Sequence, residues 1–139
     1  MSKYLLDNSV LIAYLKGRPG ALSLIRPWIA AQEVVTSQIV YAEAIEYIKG
    51  DADYPVRQKE LRVLMREITP YRLTYAILER YADLRRAMRP PYGSGLIGDM
   101  DTLIAATAIE HGLTVVTLDS DYLRVSGLSV MRLERRNLL

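Results

Sequence analysis

Acidic residues stand at the ends of hydrophobic segments in four separate places along the chain, and this pattern constrains the fold more than any other feature. The acids are Asp7 after Tyr4-Leu5-Leu6, Glu43 within the apolar segment 39–48, Asp99 and Asp101 ahead of an alanine-rich run, and Asp119 after Val115-Val116-Thr117-Leu118. Burying one carboxylate beside apolar surface costs free energy, because desolvation disfavours the charged form. Bringing several together requires a positive partner, and the pattern therefore indicates a divalent metal ion.

Composition narrows the choice of metal and of protein class. Half of the 139 residues are hydrophobic, which predicts one domain over residues 1–139 with a substantial core. No apolar run approaches the roughly 18 residues of a membrane span, and no secretory signal is recognisable, so we expect a cytoplasmic protein. The absence of cysteine and the single histidine, His111, exclude thiolate and histidine-rich zinc sites. Oxygen ligands remain, and these favour Mg²⁺ or Mn²⁺. The net charge of +2 is compatible with a polyanionic partner.

Hydrophobic segments of strand length alternate with segments of helical pattern, which predicts a parallel sheet covered by helices on both faces. The predicted strands are 3–7, 33–36, 68–70, 114–118 and 128–133, and the predicted helices are 10–16, 21–31, 38–49, 56–65, 74–88 and 101–111. Asn8 or Ser9 is expected to cap the first helix, Ser37 the third, and Asp99 or Asp101 the last. Because ligands of such sheets bind beyond the carboxyl ends of the strands, the acids that follow strands are able to converge there.

Each acid also has a structural explanation that needs no function. Asp7 can cap a helix, although its neighbours can do the same, and Glu43 can pair with an arginine elsewhere. Two acids at the start of the last helix are more than a cap requires. Asp101 is the better candidate for a metal ligand, because it adjoins the apolar segment Leu103-Ile104-Ala105-Ala106. Asp99 suits a capping or solvated role. Asp119 is favoured over Asp121 because it comes first off its strand.

With these residues laid out, the chain resembles the PIN-domain nucleases, and among them the VapC-type toxins of toxin–antitoxin pairs. The resemblance rests on Leu5-Leu6-Asp7-Asn8-Ser9-Val10-Leu11-Ile12, on Ser37 with Glu43, on the segment 97–108 that contains Gly98-Asp99-Met100-Asp101, and on the segment 111–119 that ends at Asp119. One departure is Tyr122, where the family often has phenylalanine. The resemblance covers nearly the whole chain, and its four fragments occur in order at intervals similar to those of the family.

The resemblance implies a three-layer α/β/α sandwich with a central parallel sheet and a Mg²⁺- or Mn²⁺-dependent endoribonuclease. It places the family's metal-binding and catalytic acids on Asp7, Glu43, Asp101 and Asp119. Asp7 and Asp101 would hold the principal ion, and Glu43 and Asp119 would complete its shell directly or through water. It further implies an RNA substrate, a small VapB-like antitoxin protein that blocks the site, and a homodimer.

Several alternatives stay open from the sequence. An RNA-processing PIN nuclease without an antitoxin would have the same residues. A non-catalytic PIN domain that only binds a partner would have the same fold, but such a domain should have lost one or more of the four acids. A phosphatase of the haloacid-dehalogenase type needs a second aspartate two positions after Asp7, where this chain has Ser9. A receiver-like domain needs an acidic pair after the first strand and a lysine near the end, and both are missing.

Overall fold

Five short strands form one parallel sheet at the centre of the computed structural model, which describes residues 1–139. The strands are β1 (Tyr4–Leu6), β2 (Val34–Ser37), β3 (Thr69–Tyr71), β4 (Thr114–Thr117) and β5 (Ser129–Arg132), and they lie in the order β3-β2-β1-β4-β5. All four pairings are parallel, and in β1 the residue Leu5 pairs with Val35 on one side and Val115 on the other. The predicted parallel sheet is confirmed.

Six helices connect and cover the strands. They are α1 (Asn8–Leu15), α2 (Pro19–Ala30), α3 (Gln38–Ile48), α4 (Tyr54–Leu64), α5 (Tyr75–Met88) and α6 (Asp99–His111), and two short 3₁₀ helices follow at Ser120–Arg124 and Arg135–Asn137. Consecutive strand residues such as Leu5 and Leu6, or Val115 and Val116, are all fully buried. Because successive side chains of a strand point to opposite faces, both faces of the sheet are covered, and the α/β/α sandwich is confirmed. No helix combines the length and hydrophobicity that a membrane crossing requires.

The sheet reverses its order of connection beside its first strand. From β1 the chain crosses to β2 and β3 on one side, and β4 and β5 are added later on the other side. A crevice opens beyond the carboxyl ends of the strands at such a reversal, and ligands of open α/β sheets bind there. Asp7 follows β1, and its backbone N–H donates to the Val116 carbonyl of β4 at 3.0 Å. The first acid therefore lies at the reversal itself.

Two of the expected helix caps are wrong. The N-cap of α1 is Asp7, not Asn8 or Ser9, because the Asp7 carbonyl already accepts from the amides of Val10 and Leu11. This makes both neighbours first-turn residues. The N-cap of α6 is Gly98, which has no side chain, and neither Asp99 nor Asp101 caps it. Both acids lie in the first turn of α6, where the positive end of the helix dipole favours negative charge.

The remaining predicted helix ends agree with the structure to within a few residues. Ser37 caps α3 as expected, and its Oγ accepts from the Ile39 amide at 2.9 Å. Gly112 ends α6 in the left-handed conformation at φ 66°, which glycine adopts without strain. The largest differences are the starts of α1, α2, α4 and α6, each two residues earlier than the hydrophobic pattern indicated. The extra residues are polar in α1, and in α2 and α4 they include a proline, which the first turn of a helix accepts.

Candidate metal centre

Four separate elements bring the predicted acids to the carboxyl edge of the sheet. Asp7 joins β1 to α1, Glu43 is in the middle of α3, Asp101 is in the first turn of α6, and Asp119 follows β4 and caps the 3₁₀ helix after it. All four border one open cavity of about 390 Å³, which Asn8, Ser9, Leu118 and Arg135 complete.

Three of the acids lie close enough to share one ion. One carboxylate oxygen each from Asp7, Glu43 and Asp101 lies within 4.8 Å of the other two. Asp101 belongs to a second group of the same size with Asp119 and Asp121. Asp119 is therefore joined to the first group through Asp101. None of the four predicted site acids lies within 4.0 Å of a lysine or arginine nitrogen.

Neutral donors fix the carboxylate of Asp7, which is only 6% exposed. The Thr117 hydroxyl donates to Oδ2 at 2.8 Å, and the Asn8 amide donates to Oδ1 at 2.7 Å. Burial raises the pKa of Asp7, and these hydrogen bonds oppose the rise because they favour the charged form. The orientation of Asp7 is thus set by groups that bring no positive charge.

Tyr122 lies within hydrogen-bonding distance of two of the acids, Asp7 and Asp101. Its side chain is fully buried, and its hydroxyl lies 3.3 Å from Asp7 Oδ1 and 3.1 Å from Asp101 Oδ1. Burial, followed by the negative charges of Asp7 and Asp101, raises the pKa of the phenol well above its usual range. Tyr122 therefore keeps its proton and acts as a hydrogen-bond donor to the pair.

Of the three acids in the first group, Glu43 has the fewest hydrogen-bond donors to its carboxylate. Its Oε1 is buried and has no hydrogen-bond partner. Burial, with smaller contributions from the charges of Asp7 and Asp101, raises the pKa of Glu43 to about 7. Burial likewise raises the pKa of Asp101, while the Tyr122 hydroxyl opposes that rise.

These observations fit a hard divalent cation. Three carboxylates without a cationic partner, one of them with an orphaned buried oxygen, lack the positive charge that clustered acids need. The donors are all oxygens, which suits Mg²⁺ or Mn²⁺ better than zinc or copper. An ion bound by Asp7, Glu43 and Asp101 would supply the missing charge and satisfy the free oxygen.

The two acids considered as substitutes occupy different positions. Asp99 points away from the first group: it is 68% exposed and accepts from Arg85 at 2.6 Å and from the Tyr81 hydroxyl at 3.0 Å. Asp121 stays at the edge of the site, where Arg124 donates to it at 3.1 Å.

Sequence reasoning missed three residues of this centre. Tyr122 was noted only as an aromatic substitution, although a tyrosine in a buried aromatic position is itself a sign that its hydroxyl has a partner. Thr117 falls in the predicted strand 114–118, and nothing in the sequence distinguishes it from Thr36 or Thr114. Arg135 lies beyond the last strand and gave no signal.

Most of the chain matches a known protein family and several solved structures. The family model described as "PIN domain" matches residues 4–128. No curated protein matches the sequence at a significant level.

Solved structures match it more broadly. VapBC2 from Rickettsia felis, bound to a DNA fragment from its promoter, has a TM-score of 0.83 at 19% identity, covering 94% of this chain and 98% of the other. DNA-bound VapBC from Salmonella typhimurium gives 0.83 at 18%, covering 95% and 98%. FitAcB from Neisseria gonorrhoeae gives 0.76 at 22%, covering 93% and 96%.

Proposed function

The chain belongs to the PIN domain family, and from this premise we propose that it is a divalent-metal-dependent endoribonuclease that serves as the toxin of a toxin–antitoxin pair. The observation that carries the catalytic part is the convergence of Asp7, Glu43 and Asp101 within 4.8 Å of one another without a cationic partner. A nuclease site needs such a group, because phosphodiester hydrolysis has to neutralise the negative charge of the phosphate.

In the proposed site Asp7, Glu43 and Asp101 hold Mg²⁺ or Mn²⁺, and Asp119 contributes from the adjoining group. An ion held there would lower the pKa of water and neutralise charge on the scissile phosphate. Thr117 and Tyr122 orient Asp7, and Tyr122 also orients Asp101, so the oxygens are held in place before the ion arrives. Arg135 borders the same cavity and attracts the RNA backbone.

The toxin part of the proposal rests on the partners of similar proteins. The matching structures from Rickettsia felis and Salmonella typhimurium are VapBC assemblies, and that from Klebsiella pneumoniae is a toxin–antitoxin complex. We infer a VapB-like antitoxin for this chain, a homodimeric state, and an RNA target in the cytoplasm chosen by shape or by an exposed single-stranded loop.

The test is cleavage of structured RNAs by the purified protein, in Mg²⁺ or in EDTA, beside an Asp101→Asn variant. We expect cleavage only in Mg²⁺ and a loss of nearly all activity in the variant. Asp99→Asn is the matched control, because it removes an acid from the same helical turn that is exposed and paired with Arg85. Cleavage that persists in EDTA, or at full rate in Asp101→Asn, would overturn the proposal.

The toxin role has a separate test. Expression of the wild-type chain in a bacterial host should arrest growth, while Asp101→Asn should not, and co-expression of the small protein encoded beside it should restore growth. Growth that is equal for wild type and variant would leave an RNA-processing nuclease as the better description.

A further inference from the structure

A second cavity, of about 340 Å³, adjoins the acidic one and is continuous with it along α1. The two share Asn8, Ser9, Leu118 and Arg135 as lining residues. Its volume lies within the range of about 300–1,000 Å³ that is usual for ligand sites. A strand of substrate that leaves the acidic centre on this side must therefore pass through it.

This second cavity, here called the basic cleft, is lined by three basic side chains that form no ion pair in the protein. Lys16, Arg18 and Arg135 line it, and none lies within 4.0 Å of a carboxylate. Unpaired cations next to an acidic centre are complementary to a polyanion whose cleavable phosphate lies among the acids.

An aromatic side chain forms part of the same wall. Tyr47 is 48% exposed, and the Lys16 ammonium donates to its hydroxyl at 2.5 Å and lies 4.9 Å from the ring centroid. Ile12 and Leu118 add apolar surface beside it. A ring next to cations and apolar side chains is the combination on which proteins stack the bases of single-stranded nucleic acids.

One wall of the basic cleft, formed by the segment 135–139, is held against α2. The segment that carries Arg135 ends against the start of α2, where the amides of Gly20 and Ala21 donate to the carbonyls of Leu139 and Leu138 at 3.0 and 3.2 Å. A Cβ at Gly20 would overlap the Asn137 carbonyl, so this close approach requires glycine. The backbone just after Arg135 is thereby held against α2, and Arg135 lines both cavities.

We propose that the basic cleft binds the single-stranded stretch of RNA that flanks the phosphate at the acidic centre. Lys16, Arg18 and Arg135 bind backbone phosphates, and Tyr47 stacks on one base. This inference rests on the proposed nuclease function, because it takes the acidic centre as the place where the strand is cut.

The test measures binding of a fluorescein-labelled oligouridine to the full chain by fluorescence anisotropy in EDTA, over a series of salt concentrations. We expect the triple variant Lys16→Gln/Arg18→Gln/Arg135→Gln to bind at least about tenfold more weakly and to lose up to about 0.7 from the salt slope for each lost phosphate contact. The control Arg66→Gln removes an exposed arginine that forms no ion pair and precedes the edge strand β3, and its affinity and slope should equal those of wild type.

Tyr47 gives a second, independent readout. Tyr47→Leu should weaken binding about tenfold without changing the salt slope, because stacking releases no counterions, and Tyr47→Phe should bind nearly as wild type. These residues are exposed, so their variants should keep the wild-type circular dichroism spectrum and melting temperature, and each single variant can be read alone if the triple variant does not fold.

The outcomes separate the two proposals. Unchanged affinity in the triple variant and in Tyr47→Leu, or no measurable RNA binding by wild type, would overturn the cleft proposal, and the first result is also expected if the cleft takes an acidic protein segment instead. Cleavage by wild type in Mg²⁺ would leave the nuclease function standing in that case. If wild type binds RNA through the cleft but never cleaves it, the nuclease function fails and the cleft remains a binding site.

Discussion

The hydroxyl of Tyr122 lies 3.1 Å from Asp101 Oδ1, and the same atom lies 3.3 Å from Asp7 Oδ1. One buried donor thus joins the carboxylate of Asp7, which follows β1, to that of Asp101 in the first turn of α6. Without an ion these two acids repel each other, and the phenol offsets part of that repulsion. Tyr122 consequently defines the spacing of the two principal ligands proposed for the metal.

Tyr122→Phe should weaken Mn²⁺ binding about tenfold, since removing a group that orients metal ligands typically costs ten- to a hundredfold in affinity or activity. The ring stays, so packing is preserved and the loss is that of one hydroxyl. Isothermal titration calorimetry with Mn²⁺ measures the dissociation constant. Tyr71→Phe is the control, because its hydroxyl makes only a 3.5 Å contact to Ser2 far from the site. Equal Mn²⁺ affinity in Tyr122→Phe and wild type would show that the phenol does not position the ligands.

The sequence predicted the sheet and the acids for the same physical reason. An acid directly after an apolar strand, such as Asp7, lies by topology at the carboxyl edge of a parallel sheet, and it needs no tertiary information to be placed there. Such a feature is local in the chain. Glu43 lies within a helix, so its pattern alone left an ion pair with an arginine open, and only the family resemblance assigned it to the site.

The parts of the site that the sequence could not predict depend on long-range contacts. The Thr117 hydroxyl contacts Asp7 across 110 residues, and Tyr122 contacts it across 115. Whether a buried hydroxyl faces a carboxylate or a carbonyl is decided by packing, as Thr36 shows, whose hydroxyl donates to the Leu6 carbonyl instead. The cap expected for α6 was wrong because the chain begins this helix at Gly98, without a capping side chain.

The stability of the protein in EDTA should depend on pH through Glu43, because burial disfavours the charged form of this acid. Its pKa is about 7 in the folded protein and near 4.5 in the unfolded chain, so the folded state holds a proton that the unfolded state has lost between these values. The contribution of Glu43 to the free energy of unfolding therefore falls as pH rises from 4.5 to 7 and is level above pH 7.

Urea unfolding of Glu43→Gln and wild type in EDTA measures this effect. The two should be nearly equal at pH 5. At pH 8 the variant should be more stable by about 1–2 kcal/mol, because glutamine carries no charge to bury and solvent screens part of the effect at this partly exposed site. Glu46→Gln, exposed on the same helix, should follow wild type at both pH values. Millimolar Mg²⁺ at pH 8 should stabilise wild type more than Glu43→Gln. A constant difference across pH would contradict the raised pKa.

Asp119 and Asp121 should differ in their effect on cleavage, although both lie near Asp101. Arg124 pairs with Asp121, whereas Asp119 has no cationic partner and only its Oδ1 is engaged, by the Asp121 amide at 2.8 Å. We expect Asp119→Asn to lower kcat/KM at least about tenfold and Asp121→Asn to stay within about threefold of wild type. Single-turnover cleavage of one labelled RNA gives both values. The reverse order would assign Asp121 to the site in place of Asp119.

Thr117→Val should destabilise the metal-free protein by about 1–3 kcal/mol at pH 8, because valine keeps the shape of the side chain but leaves Asp7 Oδ2 without its 2.8 Å donor. The Asp119 amide, which donates to the same hydroxyl at 3.0 Å, loses its acceptor as well. Thr107→Val is the matched control: that hydroxyl is equally buried, but it returns to the Leu103 carbonyl in its own helix, and we expect a change below about 0.5 kcal/mol. Urea unfolding in EDTA measures both variants. Equal stability of Thr117→Val and Thr107→Val would mean that Asp7 is held by its other donors alone.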